Sequence, residues 1–194
     1  HVFNTDVMKE AAALCQDIFL EKNMADFRVQ ELVTIDGSDS KDLDDAIYCE
    51  LKDNGHYRLG VHIADVSRYV KPRSALDKEA YQRGNSVYLA DRVIPMLPFE
   101  LSNDLCSLNE GKERYAISCI MDVDPNGIVT LEKITPSIIK VARRCTYPEI
   151  NQAFDEGIVS DGLQKFLPML TVFKECTHLL RKQREGRGAL TFDF

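Results

Sequence analysis

The stretch that most constrains this chain is Thr34 to Ala46, TIDGSDSKDLDDA, where Asp36, Asp39, Asp42, Asp44 and Asp45 place five carboxylates within ten residues. Ionised carboxylates sharing one site repel one another, so a fold that gathers them must offset the repulsion with water or a cation. Hard oxygen donors suit Mg²⁺, Mn²⁺ or Ca²⁺. The run LVTI leads in and AIYC follows, so the acids sit on a turn between two β-like apolar runs. On an extended backbone Asp42 and Asp44 share a face and Asp45 takes the other, whereas a tight turn brings Asp42 and Asp45 together. Gly37 permits a sharp bend just after Asp36. Three or four of these carboxylates can thus surround one or two cations, the donor set that two-metal phosphoryl hydrolysis needs. A loop of acids solvated by water alone is the bland alternative, and the dense, β-framed spacing weighs against it.

Other metal and phosphate signatures fit poorly. Read as a calcium-binding helix–loop–helix from Asp36, the loop has Lys41 sixth and Ile47 twelfth. Read from Asp39, Glu50 falls twelfth, but Asp44 sits sixth, where the turn needs glycine. Its flanks also read as strands. No P-loop, GxGxxG, HExxH or GxSxG occurs. His56, His62 and His178 are isolated and His1 is terminal, so His62 reads as a packed residue and not a ligand.

The 194 residues suffice for one domain with a core, and 44% apolar and 28% charged residues are ordinary for a soluble domain. The chain starts at His1 and stops at Phe194 and is expected to be a piece of a longer protein. No apolar stretch is long enough to span a membrane and no signal peptide is visible. A net charge of −7 weighs mildly against a surface that simply coats nucleic acid, although the placement of charge matters more than its sum. Cys15, Cys49, Cys106, Cys119, Cys145 and Cys176 are widely spaced with no CxxC pair, which reads as buried free thiols of a cytoplasmic protein, not a zinc site.

Periodicity predicts a helix over 5–20 capped by Asn4 or Thr5, an irregular 23–28, and a strand over 29–35 leading into the acidic loop. Residues 46–49 and 57–63 form a hairpin about Asp53-Asn54-Gly55. Ser74 and Asp77 start a helix that Gly84 ends, and 86–89 is short and β-like. Residues 102–108 form one or two helical turns. Strands over 113–123 and 128–136 flank the turn Asp124-Pro125-Asn126-Gly127, and 138–142 forms another strand. Thr146 with Glu149 starts a helix to Phe154, and a last amphipathic helix runs over 169–184 after an interruption at Pro168.

The run TIDGSDSKDLDDAIY resembles the catalytic loop of the RNase II/RNase R family of 3'-to-5' exoribonucleases, the RNB domain. VHIADVSRYVKPRSALDKEA from Val61, RGNSVYLADRVIPMLPFELSNDLCSLNEG from Arg83 and RCTYPEINQAF from Arg144 carry the same resemblance in order. The resemblance implies that Asp36, Asp42, Asp44 and Asp45 are the active-site aspartates and hold Mg²⁺, with Mn²⁺ as the substitute. Asp36 and Asp45 would be direct ligands, and Asp42 and Asp44 would hold a second cation or its waters. Asp39 falls at a variable position. Tyr88 matches the aromatic that stacks on the terminal base, where a π face accepts any base. Asn103, Ser107 and Asn109 are expected as polar channel lining, and Arg143, Arg144, Arg184 and Arg187 as phosphate contacts. Lys174, Arg181, Lys182 and Arg184 read equally as the wet face of the last helix. Asp104 and Glu110 depart from the glycine and proline of the family pattern.

The implied fold is α/β in the broad sense, a mixed, mostly antiparallel curved sheet packed by helices. Residues 1–28 are expected as a helical lead-in and 29–194 as the N-terminal portion of an RNB-type catalytic domain. The implied activity is processive hydrolysis of single-stranded RNA to nucleoside 5'-monophosphates by a monomeric parent. Three pieces are expected to lie outside this chain: the rest of the domain, its phosphate-gripping arginine, and the OB-type RNA-binding modules. The chain alone is therefore expected to be inactive. Competing readings are a non-catalytic RNA-binding domain of the same fold, a metal-dependent phosphatase acting on small substrates, and a calcium-bound structural loop.

Overall fold

The acidic loop joins two neighbouring strands of a closed barrel. The structure, a computed structural model, describes residues 2–15 and 17–189, so the terminal His1 and Phe194 lie outside the described residues. Strands β1 (Ala25–Asp36), β2 (Asp45–Leu51), β3 (Tyr57–Ala64), β6 (Glu113–Val123) and β7 (Val129–Thr146) close in that order. Neighbours are antiparallel except β1 and β7, which run parallel. The sheet is thus mixed, mostly antiparallel and curved, and its curvature goes as far as closure. β4 (Val87–Tyr88) and β5 (Val93–Ile94) pair as a separate small hairpin. The helices are α1 (Thr5–Ala12), α2 (Ala75–Arg83), α3 (Tyr147–Asn151) and α4 (Leu167–Gly186).

Local chemistry sets most element ends. Asn4 Oδ1 accepts from Val7 N at 2.9 Å, Ser74 Oγ from Asp77 N at 3.2 Å and Thr146 Oγ1 from Glu149 N at 3.3 Å, each filling an N-terminal orphan donor. In the β6–β7 turn Asp124 Oδ1 accepts from Asn126 N and Ile128 N at 2.9 and 2.8 Å. Gly127 there is required twice over. Its φ is +80°, and a Cβ would lie 2.7 Å from the Leu179 carbonyl oxygen of α4.

Adjacent residues of β1 and β2 serve opposite faces. Leu32 and Ala46 join Val7 and Ala11 of α1, Leu76 of α2, and Leu97, Leu101, Leu105 and Leu108 in the main core. Val33 and Ile47 join Leu163, Phe166 and Leu170, and Cys49 meets Cys176 beside Leu59 and Val123, so α4 lies along β2 and β3. The six cysteines are free; Cys15 is exposed, Cys119 half-buried and the other four buried.

Several sequence expectations are corrected. The first helix stops at Ala12, and Leu14 and Ile18 leave helical geometry to pack against the main core, with Phe19 N donating to Tyr115 Oη at 2.8 Å. The strand expected from residue 29 begins at Ala25, because β7 offers a parallel partner from Ser137 onward. Pro136 does not divide two strands. β7 runs through it for 18 residues, and β1 joins only after it, leaving a free edge where a missing N–H costs nothing. Pro168 does not interrupt the last helix but sits in its first turn, where the N–H is unsatisfied anyway. The helical turns expected over 102–108 start earlier, as a π-helical turn over Glu100–Leu105.

His62 is fully buried with Ser118 and Ser137: its Nδ1 lies 2.6 Å from Ser118 Oγ, which lies 2.6 Å from Ser137 Oγ. Phe27 of β1 meets the imidazole edge-on at 5.2 Å, so four strands contribute to this contact. Burial pushes the imidazole down from 6.5 to about 4. Between those values the unfolded chain binds a proton that the folded chain refuses. The stability held in the neutral ring is complete above 6.5 and is lost as pH falls through 4, by at most roughly 3 kcal/mol. Urea unfolding followed by circular dichroism from pH 7 to pH 4 is expected to show a midpoint that falls more steeply in the wild type than in His62→Leu. Parallel curves would refute the assignment.

Candidate active site

The loop of acids leaves the barrel where β1 and β7 end together, Asp36 lying in register with Thr146. The antiparallel pairing of Val33 with Ile47 puts the end of β1, Asp36, and the start of β2, Asp45, at the same end of the barrel. Leu43 is fully buried in the main core, which turns its neighbours Asp42 and Asp44 the other way.

The loop backbone is gripped from two sides. On one, Ser40 N bonds Gly37 O at 3.1 Å, and Arg144 Nη2 donates to Ser40 O at 2.7 Å, Ser38 O at 3.0 Å and Gly37 O at 3.5 Å. On the other, Ser107 Oγ donates to Lys41 O at 2.7 Å and accepts from Leu43 N at 3.1 Å, while Leu108 N donates to Leu43 O at 2.8 Å. Ala64 N then bonds Asp44 O at 2.9 Å. Ser107 is itself held by Arg114, whose guanidinium is 5% exposed. Nε of Arg114 donates to Ser107 O at 2.9 Å and its Nη2 to Asp104 O and Oδ1 at 2.9 and 3.1 Å.

The carboxylates feel one another. Burial pushes Asp36 up first, then Asp45, with Asp44 and Asp42 adding to the rise while Arg144 pulls the other way. Asp44 is also raised, by burial of its carboxyl on the protein side and then by Asp42 and Asp45. Asp36 Oδ2 is buried without a hydrogen-bond partner among the described residues. Tyr88, from the small β4–β5 hairpin, donates its hydroxyl to Asp42 Oδ2. That bond, before burial, lifts the phenol to about 12. The Tyr88 ring stays 65% exposed.

The donor chemistry suits a hard cation: Asp42, Asp44 and Asp45 all act electrostatically on Asp36, and one buried Asp36 oxygen lacks a partner among the described residues. Among the described residues no group of three or more His, Cys, Asp or Glu is already gathered to hold a metal ion. Asp42 is engaged by Tyr88.

The other residues singled out by the sequence divide. Asn103 and Asn109 sit together beside the loop, Asn109 Nδ2 donating to Asn103 O at 3.3 Å and to Ser107 O at 3.4 Å. Ser107 lines no open surface, because both its bonds hold the loop from within the core. Arg143 faces away from Arg144. Its Nη2 bonds Glu149 Oε1 at 2.7 Å, and a Cβ on Gly162 would lie 2.1 Å from its Nη1. Arg184 and Arg187 lie near the other barrel end, where Gln183 Nε2 of α4 bonds Asn126 O at 2.6 Å in the β6–β7 turn. That end is about 20 Å along β2 from Asp45. Asp39 is exposed on the loop. Sequence reasoning missed Arg114 and Leu43; an arginine opening a strand after Gly-Lys-Glu carries no sign that it is buried.

The RNB domain family model matches residues 24–194. The chain is 43% identical over 198 residues to ribonuclease R 2 of Lactococcus lactis, covering 98% of this chain and 30% of that protein. To ribonuclease R of Thermotoga maritima it is 45% identical over 191 residues, covering 97% and 27%. Mycoplasma genitalium RNase R in complex with ribose-methylated single-stranded RNA superposes with a TM-score of 0.90 at 32% identity, covering 100% of this chain and 31% of that one. The chain thus spans under a third of the length of the relatives it matches.

The two bonds of Ser107 generate a stability prediction. Ser107→Ala leaves Leu43 N without its buried acceptor and Lys41 O without its donor, and is expected to lower unfolding stability by about 1–3 kcal/mol. Asn109→Ala, whose bonds are longer and less buried, is expected to cost less. Chemical denaturation compares the two, and equal costs would show that Ser107 does not hold the loop.

Proposed function

The chain belongs to the RNB domain family, and on that premise we propose that the protein carrying it hydrolyses single-stranded RNA processively from the 3' end, releasing nucleoside 5'-monophosphates with Mg²⁺. The observation that carries this reading is the buried Oδ2 of Asp36, without a hydrogen-bond partner among the described residues and within the electrostatic reach of Asp42, Asp44 and Asp45. A buried carboxylate without a partner is costly, and a cation is the partner this donor set suits.

Asp36, Asp42, Asp44 and Asp45 would hold the metal, with Mn²⁺ as an acceptable substitute. The bound metal would supply a more acidic water and positive charge for the phosphoryl oxygens. The protein's own residues do the positioning. Leu43 and the clamps of Ser107 and Arg144 fix the loop that carries the acids. The exposed ring of Tyr88, tethered to Asp42 through its hydroxyl, offers a π face to a terminal base within reach of the acids. Asn103 and Asn109 are polar groups beside the loop that can meet ribose hydroxyls, the groups that separate RNA from DNA.

A non-catalytic RNA-binding domain would keep the fold and lose the acids; here all four are present. Because the chain spans 30% and 27% of its relatives, the activity is assigned to the longer protein. The isolated 194-residue chain is expected not to shorten RNA.

In the full-length protein, Asp45→Asn is expected to abolish release of mononucleotides from a 3'-labelled single-stranded RNA in Mg²⁺ while leaving RNA affinity within about twofold. Undiminished turnover would sink the mechanism. Tyr88→Ala is expected to weaken binding of a short oligoribonucleotide by about 1–3 kcal/mol, with Tyr88→Phe retaining most of it. Equal loss in both variants would assign the effect to the hydroxyl and not the ring.

A further inference from the structure

We infer that Arg144 is a positioning residue for the acidic loop, setting the backbone between Asp36 and Asp42 in advance of cation and RNA, and that it is not a phosphate contact. The inference rests on the exoribonuclease reading for its kinetic consequences, although the geometry stands without it.

Arg144 lies on β7 in parallel register with Thr34 of β1, two residues short of Asp36, so its side chain can reach past the end of β1. Its own backbone N is fixed by Glu110 Oε2 at 2.8 Å. Its Nη2 is then spent on the carbonyls of Ser40, Ser38 and Gly37. Its Nε is buried without a partner among the described residues, so the inner edge of the guanidinium lies beneath the loop in a half-buried side chain. A bidentate phosphate contact needs both arms of the guanidinium free. Here one arm of the fork already ends on peptide oxygens that belong to the segment between the first acid and the rest.

The division of labour between the two clamps gives the inference its content. Ser107 and Leu108 hold Lys41 and Leu43. Loss of Arg144 would free residues 37–40 while 41–43 stayed pinned. That change loosens the spacing of Asp36 from Asp42, Asp44 and Asp45 without touching the groups that meet RNA. Lysine can supply charge and donors at this position but not the planar guanidinium that sets Nη2 on the three carbonyls with Nε buried behind it, so it should rescue in part.

The test uses the full-length protein and its Arg144→Ala and Arg144→Lys variants. Hydrogen exchange of the peptide covering residues 37–43, measured without metal, is expected to accelerate in Arg144→Ala and less in Arg144→Lys. The Mg²⁺ concentration for half-maximal hydrolysis is expected to rise and kcat to fall on the order of 10- to 100-fold in Arg144→Ala, because misplaced groups lose orientation. RNA affinity in EDTA and its salt dependence are expected to hold. Unchanged exchange would overturn the inference. So would weakened RNA binding at intact kcat with a salt slope reduced by about 0.7, the mark of one lost contact to a single-stranded phosphate backbone. Failure of both variants to fold would overturn it as well, since the residue would then serve stability alone. A wild-type protein that hydrolyses no RNA would refute the activity while the exchange measurement still decided the role of Arg144.

Discussion

The acid end of the molecule depends on one opposition: Leu43 must be buried while the acids on either side of it must not be. Burying a leucine is worth about 1.5–3 kcal/mol, and Leu43 is fully buried. Its alternation with Asp42 and Asp44 turns that gain into a direction for two carboxylates. Opposing it are the partial burial of the carboxyls and then their mutual repulsion, which together raise Asp36 and Asp44. No side chain of the loop could hold it closed against that repulsion, so the grip falls on the backbone. Gly37, Ser38, Ser40, Lys41 and Leu43 are all held through main-chain atoms by residues from distant strands and turns.

Those distant residues arrive because the barrel closes through a parallel pair. β1 and β7 run side by side from Ala25 and Ser137 to Asp36 and Thr146, so both reach the same end of the barrel. An antiparallel closure would have put the end of β7 at the far side. Parallel closure delivers Arg144 alongside the last residues of β1 and starts α3 immediately after. The cost is a strand of 18 residues that must pair with β6 along one edge and accept β1 on the other only from Ser137. Both ladders are irregular on the way, with register shifts beside Ile120 and Met121 of β6 and between Phe27 and Val33 of β1.

What the sequence makes legible follows from the range of the forces. The Asp53-Asn54-Gly55 and Asp124–Gly127 turns, the caps Asn4, Ser74 and Thr146, and the density of acids are all decided within four to ten residues, and each can be read from the chain. Pro136 and Pro168 mislead because proline reports only a missing N–H and a fixed φ. Whether that breaks an element depends on whether a partner strand or helical carbonyl was waiting for the N–H. Barrel closure and the direction of Arg144 depend on pairs 70 or more residues apart in sequence, such as Ser38 with Arg144. Arg143 and Arg144 are neighbours of the same type, yet one pairs with Glu149 and the other holds the loop. Only the pleat of β7 separates them.

Net charge is the other place where a local reading and a global one part. A sum of −7 argues against a polyanionic partner, but five of the 31 acids stand between Asp36 and Asp45. Cations such as Lys174 and Arg181 are spread along α4, where they meet Phe154 and Glu185. On the reading proposed above, RNA would approach the most acidic end of the molecule. Repulsion between phosphate and carboxylate there would add to the burial and the neighbouring acids that raise Asp36, whose Oδ2 has no partner among the described residues. One counter-charge placed among the acids would relieve both at once. The need for a cation and tolerance of a polyanionic substrate are then a single electrostatic requirement, set by the carboxylates of the loop and not by the net charge of −7.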